Sequence, residues 1–218
     1  MGADRTDGSG RATMPGVVEA LFAKWSTVQG QELIREGAKI VRHLTEHGPL
    51  PIETADAMLP DAERARGIGM VQYFRDRDYD LEMDGRGTIV GAGLSLVGNS
   101  RHTAVIHGTL YHQWCVADAL MFPLILGDRS PVTTGCPATG ERITLTVTPT
   151  GIEDLSHPNA WFTLAPGTGG SARVRFCDRV NLYADRASAE AAAAADPEIA
   201  AAPADRAWTV ARDLAGLF

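Results

Sequence analysis

The sequence predicts an α+β fold, because helical patterns fill its first third and short β-rich runs follow. Its 218 residues are 44% hydrophobic and 22% charged, which is typical of one large folded domain or two small ones. Residues 1 to about 15 are rich in Gly, Asp and Arg and lack periodicity, as a flexible arm does. We therefore predict a flexible arm over 1–15, a helical domain over 16–80 and an α+β core over 81–218.

The N-terminal domain is predicted to be helical because its apolar residues recur at helical spacing. The predicted helices cover 17–25, 31–46, 52–59 and 61–74. Pro49 and Pro51 end the second helix, and Asp61 is a good N-cap for the fourth. Together with the extended segment 87–97, this order is that of a winged-helix unit.

Charge argues against DNA as the partner of this unit. The chain carries a net charge of −7, and residues 53–80 contain seven acids and four arginines. Phosphate neutralisation supplies most of the affinity of a recognition helix, so an acidic unit is poorly suited to it. We expect the unit to pack on the core or cover a substrate, with no nucleic acid or membrane as partner. A metal-responsive winged-helix regulator is the alternative.

The remainder of the chain reads as strands with interposed helices. Runs of β-branched and aromatic residues bounded by Gly, Pro, Asn and Asp predict strands over 88–97, 101–107, 143–148, 161–164 and 173–183. An apolar helix is predicted over 114–125, ending before Gly127. The Ala-rich stretch 188–202 is helix or low-complexity sequence, and a short amphipathic helix over 208–217 closes the chain.

Three cysteines are the candidate reactive groups. Cys115, Cys136 and Cys177 are too few and too widely spaced for a disulfide framework. The opening residues lack the basic start and apolar stretch of a signal peptide. We therefore expect a cytoplasmic protein whose cysteines are thiols.

Cys115 and Asp118 are expected to lie close together. If the helix begins near Trp114, Cys115 falls in its first turn, where free N–H groups and the helix dipole favour a thiolate. Asp118 follows at i+3, on the same face, within reach for proton exchange. Capping of the helix dipole is the structural alternative for Asp118.

Cys177 and Cys136 have different surroundings. In a strand, alternation separates Cys177 from the apolar face of Val174 and Phe176, and Arg175 and Arg179 are expected to stabilise its thiolate. A thiolate is a ligand for soft metals. Cys136 lies in a turn before a strand, where a structural role is favoured.

Two other kinds of site are possible from these residues. His107, His112 and Cys115 are potential zinc ligands, but these three residues do not form a CxxC or HxxxH spacing. A Cys–His hydrolytic pair has the same weakness, because Asp118 already occupies the position beside Cys115.

The segment 110–140 resembles the organomercurial (alkylmercury) lyases. The similarity rests on Trp-Cys-x-x-Asp at 114–118, the Phe-Pro at 122–123, the Cys-x-Ala-Thr-Gly turn at 136–140 and the strand that follows. Phe176-Cys177 extends it, and a weaker similarity covers about 31–185.

The resemblance implies a winged-helix-like N-terminal unit packed on a mixed, mainly antiparallel sheet core with interposed helices. It implies Cys115, Cys177 and Asp118 as catalytic residues and metal ligands, and a structural role for Cys136. Where better-known members often have a further cysteine and histidines after the second catalytic cysteine, this chain has Asp178, Arg179 and Asn181.

The implied reaction is protonolysis of a carbon–mercury bond to a hydrocarbon and Hg(II). Mercury prefers sulfur ligands, and two thiolates make its carbon carbanion-like, so that a nearby acid can protonate it. No cofactor is expected, since mercury keeps its oxidation state. Expected partners are a small organomercurial, cellular thiols that accept Hg(II) and a mercuric reductase; an organotin or organoarsenical is the alternative substrate.

Overall fold

The computed structural model describes residues 6–218, in which a helical third precedes a core of strands and helices. Residues 1–5 of the predicted arm lie outside the described residues. The helices are α1 (Met14–Trp25), α2 (Val28–His47), α3 (Ile52–Met58), α4 (Asp61–Ala65), α5 (Met70–Arg75), α6 (Val116–Ile125), α7 (Ala172–Arg175), α8 (Arg186–Ala195) and α9 (Ala204–Ala215). The strands are β1 (Glu82–Met83), β2 (Ile89–Ala92), β3 (Leu94–Ser95), β4 (His102–Ile106), β5 (Thr109–Gln113), β6 (Ser130–Gly135), β7 (Arg142–Thr148), β8 (Gly151–Glu153), β9 (Trp161–Leu164), β10 (Leu182–Tyr183) and β11 (Ala200–Pro203). The predicted α+β class is confirmed.

Two antiparallel sheets form the core. The larger has the order β1-β2-β3-β5-β4-β6-β7-β8, and the smaller has the order β10-β9-β11. A two-residue turn, in which His107 and Gly108 both have positive φ, joins β4 to β5. This geometry matches the right-handed twist of the flanking strands and fixes their register.

The apolar helix α6 is the centre of the fold. It packs against strands of the larger sheet on one side and against α9 on the other. Residues 116–123 are all buried, because a helix between two layers must be apolar all round. Asp118 is the one charged residue in this buried segment.

Two predicted elements in the N-terminal half are wrong in detail. The expected helix 61–74 is split into α4 and α5 by a turn in which Gly67 has a φ of +74°. Asp61 is not its N-cap, because Pro60 takes that position; Asp56 caps α5 instead, by accepting the Met70 N–H at 2.6 Å. The expected strand 88–97 is likewise a hairpin, since β2 and β3 pair with each other around Gly93.

The predicted strand 173–183 is also wrong. The chain there forms α7, a 3₁₀ turn over Cys177–Arg179 and only then β10. Ser171 caps α7 and donates a hydrogen bond to Asp80 at 2.5 Å, while the Ala172 N–H binds the carbonyl of Asp78. Anchoring by residues about ninety positions away overrides the local β pattern.

The strands β1, β5, β6, β8 and β11 were not expected from the sequence. The Ala-rich stretch divides into α8 and β11, and the predicted helices near 17–25, 31–46, 52–59, 114–125 and 208–217 are confirmed with shifted ends. Over residues 6–218, no helix is both long enough and apolar enough to cross a membrane.

Candidate active site

Cys115, Asp118 and Cys177 meet in the interior. The Cys115 Sγ donates to Asp118 Oδ2 at 3.2 Å, and the Cys177 Sγ approaches the same oxygen at 3.6 Å. The three potential ligand atoms lie within 4.8 Å of one another, and all three residues are buried. This is the set that the sequence singled out, and one cation could contact all three atoms.

Backbone hydrogen bonds bring the distant cysteines together. Cys115 is the N-cap of α6, with extended dihedral angles (φ −148°, ψ 177°) that turn its side chain toward Asp118 in the first helical turn. The next N–H, that of Val116, binds the Val180 carbonyl at 3.3 Å, and the Val180 N–H closes the turn on Cys177. The start of α6 is therefore joined directly to the turn that carries the second sulfur.

The smaller sheet holds that turn in place. The Thr163 hydroxyl on β9 donates to the Arg179 carbonyl at 2.8 Å and accepts the Asn181 N–H at 3.2 Å. The Asn181 amide donates to the Asp178 carbonyl at 3.1 Å. These bonds hold the residues that directly follow Cys177, so its position depends on β9 as well as on its own short turn.

Burial keeps the site protonated, which corrects the expectation of thiolates. Burial raises the pKa of Cys115. The contact with Cys115, followed by burial, raises the pKa of Cys177 well above its ordinary value. Burial also raises the pKa of Asp118 to about 7. At neutral pH the resting site thus holds two thiols and a carboxyl poised between its two protonation states.

Arg175 and Arg179 do not stabilise a Cys177 thiolate as the strand interpretation suggested. Arg179 pairs with Asp196 at 2.7 Å, and Arg175 pairs with Glu198 at 3.2 Å. The charge of each arginine is therefore balanced by an acid near the end of α8. The alternation argument failed because Cys177 is not in a strand.

An apolar cavity of about 70 Å³ adjoins the cluster. Leu21 and Trp25 of α1 and Leu33 of α2 form one wall, and Asp118 and Cys177 form part of the other. The N-terminal helices thus cover the site, in line with the covering role favoured by the sequence. A carbon group bound here would be shielded from water next to the Asp118 carboxyl.

Tyr79 and Arg173 also adjoin the site and were missed by sequence reasoning. Tyr79 lines the apolar cavity between the rings of Trp25 and Trp114, at centroid distances of 6.4 and 6.1 Å. Arg173 stacks over the Trp114 ring at 4.9 Å, and its charge favours the ionised form of Asp118. Both lie among charged residues in the sequence, a pattern typical of an exposed segment, so no local feature of the sequence indicates that they adjoin the site.

The zinc alternative finds no support in the described part of the chain. His107 lies in the β4–β5 turn and His112 on β5, and neither joins Cys115 in a group able to hold a metal. Cys136 lies apart from the cluster, in the β6–β7 hairpin, where its N–H binds the Glu141 carbonyl and its own carbonyl accepts the Gly140 N–H. Its structural role stays a prediction.

Two thiols and a carboxyl enclosed beside an apolar cavity are a set of groups suited to a soft cation and to proton transfer next to it, the kind of site expected of a metal-binding protein. The sequence profile of the MerB alkylmercury lyases matches residues 97–216, more than half of the chain. This protein therefore belongs to the alkylmercury lyase family.

Individual relatives agree with this assignment. An alkylmercury lyase of Staphylococcus epidermidis is 27% identical over 82% of this chain and 81% of its own length. That of Pseudomonas putida is 34% identical over 58% of this chain and 60% of its own, and that of Streptomyces lividans is 38% identical over 48% and 49%. The solved mercury-bound form of MerB2 shares the fold, with a TM-score of 0.67, 14% identity and coverage of 92% of this chain and 98% of that one.

Proposed function

We propose that this protein cleaves the carbon–mercury bond of small organomercurials by protonolysis, with Cys115 and Cys177 as mercury ligands and Asp118 as proton carrier. The observation that carries the proposal is the cluster itself: two sulfurs and one carboxylate oxygen within 4.8 Å, buried beside an apolar cavity. Sulfur is the ligand that mercury prefers, and the carboxyl is the only acid in the cluster.

The first step is capture of the organomercurial. One thiol forms a sulfur–mercury bond and its proton passes to the Asp118 carboxylate, which already accepts the Cys115 Sγ–H at 3.2 Å. A pKa of about 7 suits this transfer, since a proton carrier works best when its pKa lies near the working pH. The ligand X that was bound to mercury in the substrate leaves as the anion X⁻.

The second step breaks the carbon–mercury bond. The other sulfur joins mercury, and its proton passes to Asp118 as Asp118 gives up the proton it already holds; this second proton later leaves with X⁻ as HX. The added electron density makes the attached carbon basic. Asp118 donates its proton to that carbon, so the hydrocarbon leaves into the apolar cavity and Hg(II) stays on the two sulfurs. Overall, R–Hg–X and two thiols give R–H, HX and a mercury dithiolate, without a change of oxidation state.

Removal of the metal requires an acceptor. Two external thiols can exchange for the two cysteines and restore the resting site, and a mercuric reductase is the expected consumer of the Hg(II) released. The regulator alternative is not favoured, because two arginines of the acidic segment 53–80 pair with an acid of the same segment: Arg66 with Glu63 at 3.0 Å, and Arg77 with Glu63 at 3.4 Å.

Single-turnover release of hydrocarbon from methylmercury and phenylmercury, followed by gas chromatography, tests the proposal. Cys115→Ser and Cys177→Ser should each abolish release. Cys136→Ser is the matched control, since this cysteine is also buried but lies outside the cluster, and it should retain cleavage. Turnover by Cys177→Ser at the wild-type rate would exclude the two-sulfur mechanism, and organotin or organoarsenical substrates tested in parallel would reveal a different substrate class.

A further inference from the structure

A second cavity also reaches the cluster, and its lining is polar where that of the first is apolar. It is a cleft of about 750 Å³ between the loop 97–101, the β6–β7 hairpin and the turn 177–181. Cys177 lines both this cleft and the apolar cavity, whereas Asp118 lines only the apolar one. A metal held by Cys177 is thus the point where the two cavities meet.

The lining of the cleft is polar and carries both signs of charge. Arg101 lies beside Gly135 at the end of β6, since a Cβ added to Gly135 would be 3.7 Å from the Arg101 Cβ. Arg101 lines the cleft and has no ion-pair partner among residues 6–218. Asp178, next to Cys177, is exposed and likewise has no ion-pair partner in that range. Opposite them, Arg173 and Glu82 lie 3.8 Å apart.

The free-energy cost of binding a small thiol compound that carries a carboxylate or an ammonium group differs between the two cavities. In the apolar cavity that group would lose its hydration without gaining a partner, which is strongly unfavourable. In the cleft, a carboxylate can meet Arg101 and an ammonium group can meet Asp178. A cleft of this volume also lies within the range typical of small-molecule sites rather than of protein interfaces.

We propose that the cleft binds the thiol that removes Hg(II), and that this thiol is a small amino-acid thiol carrying both a carboxylate and an ammonium group. The inference rests on the proposed function for the origin of the metal. The incoming sulfur attacks mercury from the cleft and its proton passes to Cys177, which leaves as a thiol. A second thiol displaces Cys115 in the same way, so Hg(SR)₂ departs and both cysteines are restored.

The experiment uses the full-length protein loaded with one equivalent of mercuric chloride, so that it does not depend on carbon–mercury cleavage. Release is monitored by mixing with four thiols, separating protein from small molecules by rapid gel filtration at timed intervals, and measuring the mercury that stays with the protein. Cysteine carries both a carboxylate and an ammonium group, and 3-mercaptopropionate carries only the carboxylate. The compound 2-aminoethanethiol carries only the ammonium group, and 2-mercaptoethanol carries neither. Rate constants are expressed per thiolate, because the thiol pKa values differ.

Variants separate recognition by the cleft from intrinsic thiol reactivity. Arg101→Gln should lower the rate ratio of 3-mercaptopropionate to 2-mercaptoethanol by about threefold, and Asp178→Asn should lower the ratio of 2-aminoethanethiol to 2-mercaptoethanol by a similar factor, the range of partly exposed ion pairs. The double variant should lower the advantage of cysteine by about tenfold. Arg86→Gln is the matched control, since Arg86 is an exposed arginine outside the cleft, and it should change none of the ratios.

The outcomes distinguish this inference from the proposed function. Altered ratios support the cleft even if the protein cleaves no organomercurial. Ratios that are the same in Arg101→Gln, Asp178→Asn and wild type overturn it, even if cleavage is normal. Release that requires a protein dithiol and does not accelerate with any of the four thiols also overturns it.

Discussion

Replacing Asp118 by asparagine should change the pH dependence of stability in a defined direction. Burial raises the pKa of this carboxyl from its ordinary value of 3.8 to about 7. The folded state therefore holds the proton more tightly than the unfolded state does, so the contribution to stability is present below pH 4 and is lost as pH rises toward 7. At about 1.4 kcal/mol per pKa unit, the loss reaches about 4 kcal/mol.

Asparagine does not titrate, so Asp118→Asn is spared this loss. Between pH 5 and pH 8 the free energy of unfolding of Asp118→Asn should rise relative to wild type by about 3 kcal/mol. Urea unfolding of the metal-free protein under reducing conditions measures it. Any constant penalty from an unpaired amide cancels between the two pH values.

Asp84→Asn provides the control for this measurement. Backbone N–H bonds from Thr88 and Arg86 lower the pKa of the partly exposed Asp84, so its contribution to stability is lost only below the pH range compared. Its difference from wild type should be the same at pH 5 and pH 8. If Asp118→Asn behaves like Asp84→Asn, the carboxyl is not in a desolvated site and the proton-carrier argument loses its physical basis.

Four further results are expected. The kcat/KM for hydrocarbon release should rise with pH to a plateau above about 7, because ionised Asp118 must accept the thiol proton; a profile flat from pH 6 to 8 would contradict this. Gly37→Ala should raise the free energy of unfolding by about 0.5–1 kcal/mol, since its Cβ would lie 4.0 Å from the nearest atom, Phe74 Cε1. Gly30→Ala should lower it, because its Cβ would meet the Lys24 carbonyl at 2.6 Å, and thermal unfolding compares the two. Met121→Ala should destabilise by about 2 kcal/mol and shift the preference from methylmercury toward phenylmercury by enlarging the apolar cavity; unchanged relative KM values would contradict that.

The sequence predicts that two site residues lie close together where both belong to one secondary-structure element. Cys115 and Asp118 are three positions apart at the start of one helix, so helical geometry alone brings them together. Cys177 is different. Its approach to Asp118 depends on the hydrogen bond between Val116 and Val180 and on the anchoring of α7 by Asp80, and these are contacts between distant segments that no local pattern reveals.

Protonation states and cavities were beyond the sequence for a related reason. Helix position and neighbouring arginines both suggested thiolates, but burial acts in the opposite direction and the arginines are balanced by Asp196 and Glu198. Burial is a property of the assembled layers. The same holds for the apolar cavity, which forms only where α1 and α2 cover the start of α6.

Burial does not prevent the chemistry, because each stable state of the site can be close to neutral. Two thiols and a protonated carboxyl carry no charge, and mercury(II) on two thiolates is also neutral. A desolvated site disfavours isolated ions but not such compensated groups. The low polarity that makes Cys115 and Cys177 weak nucleophiles at rest therefore favours transfer of each thiol proton together with formation of the sulfur–mercury bond, and Asp118 is the group in the cluster able to receive that proton.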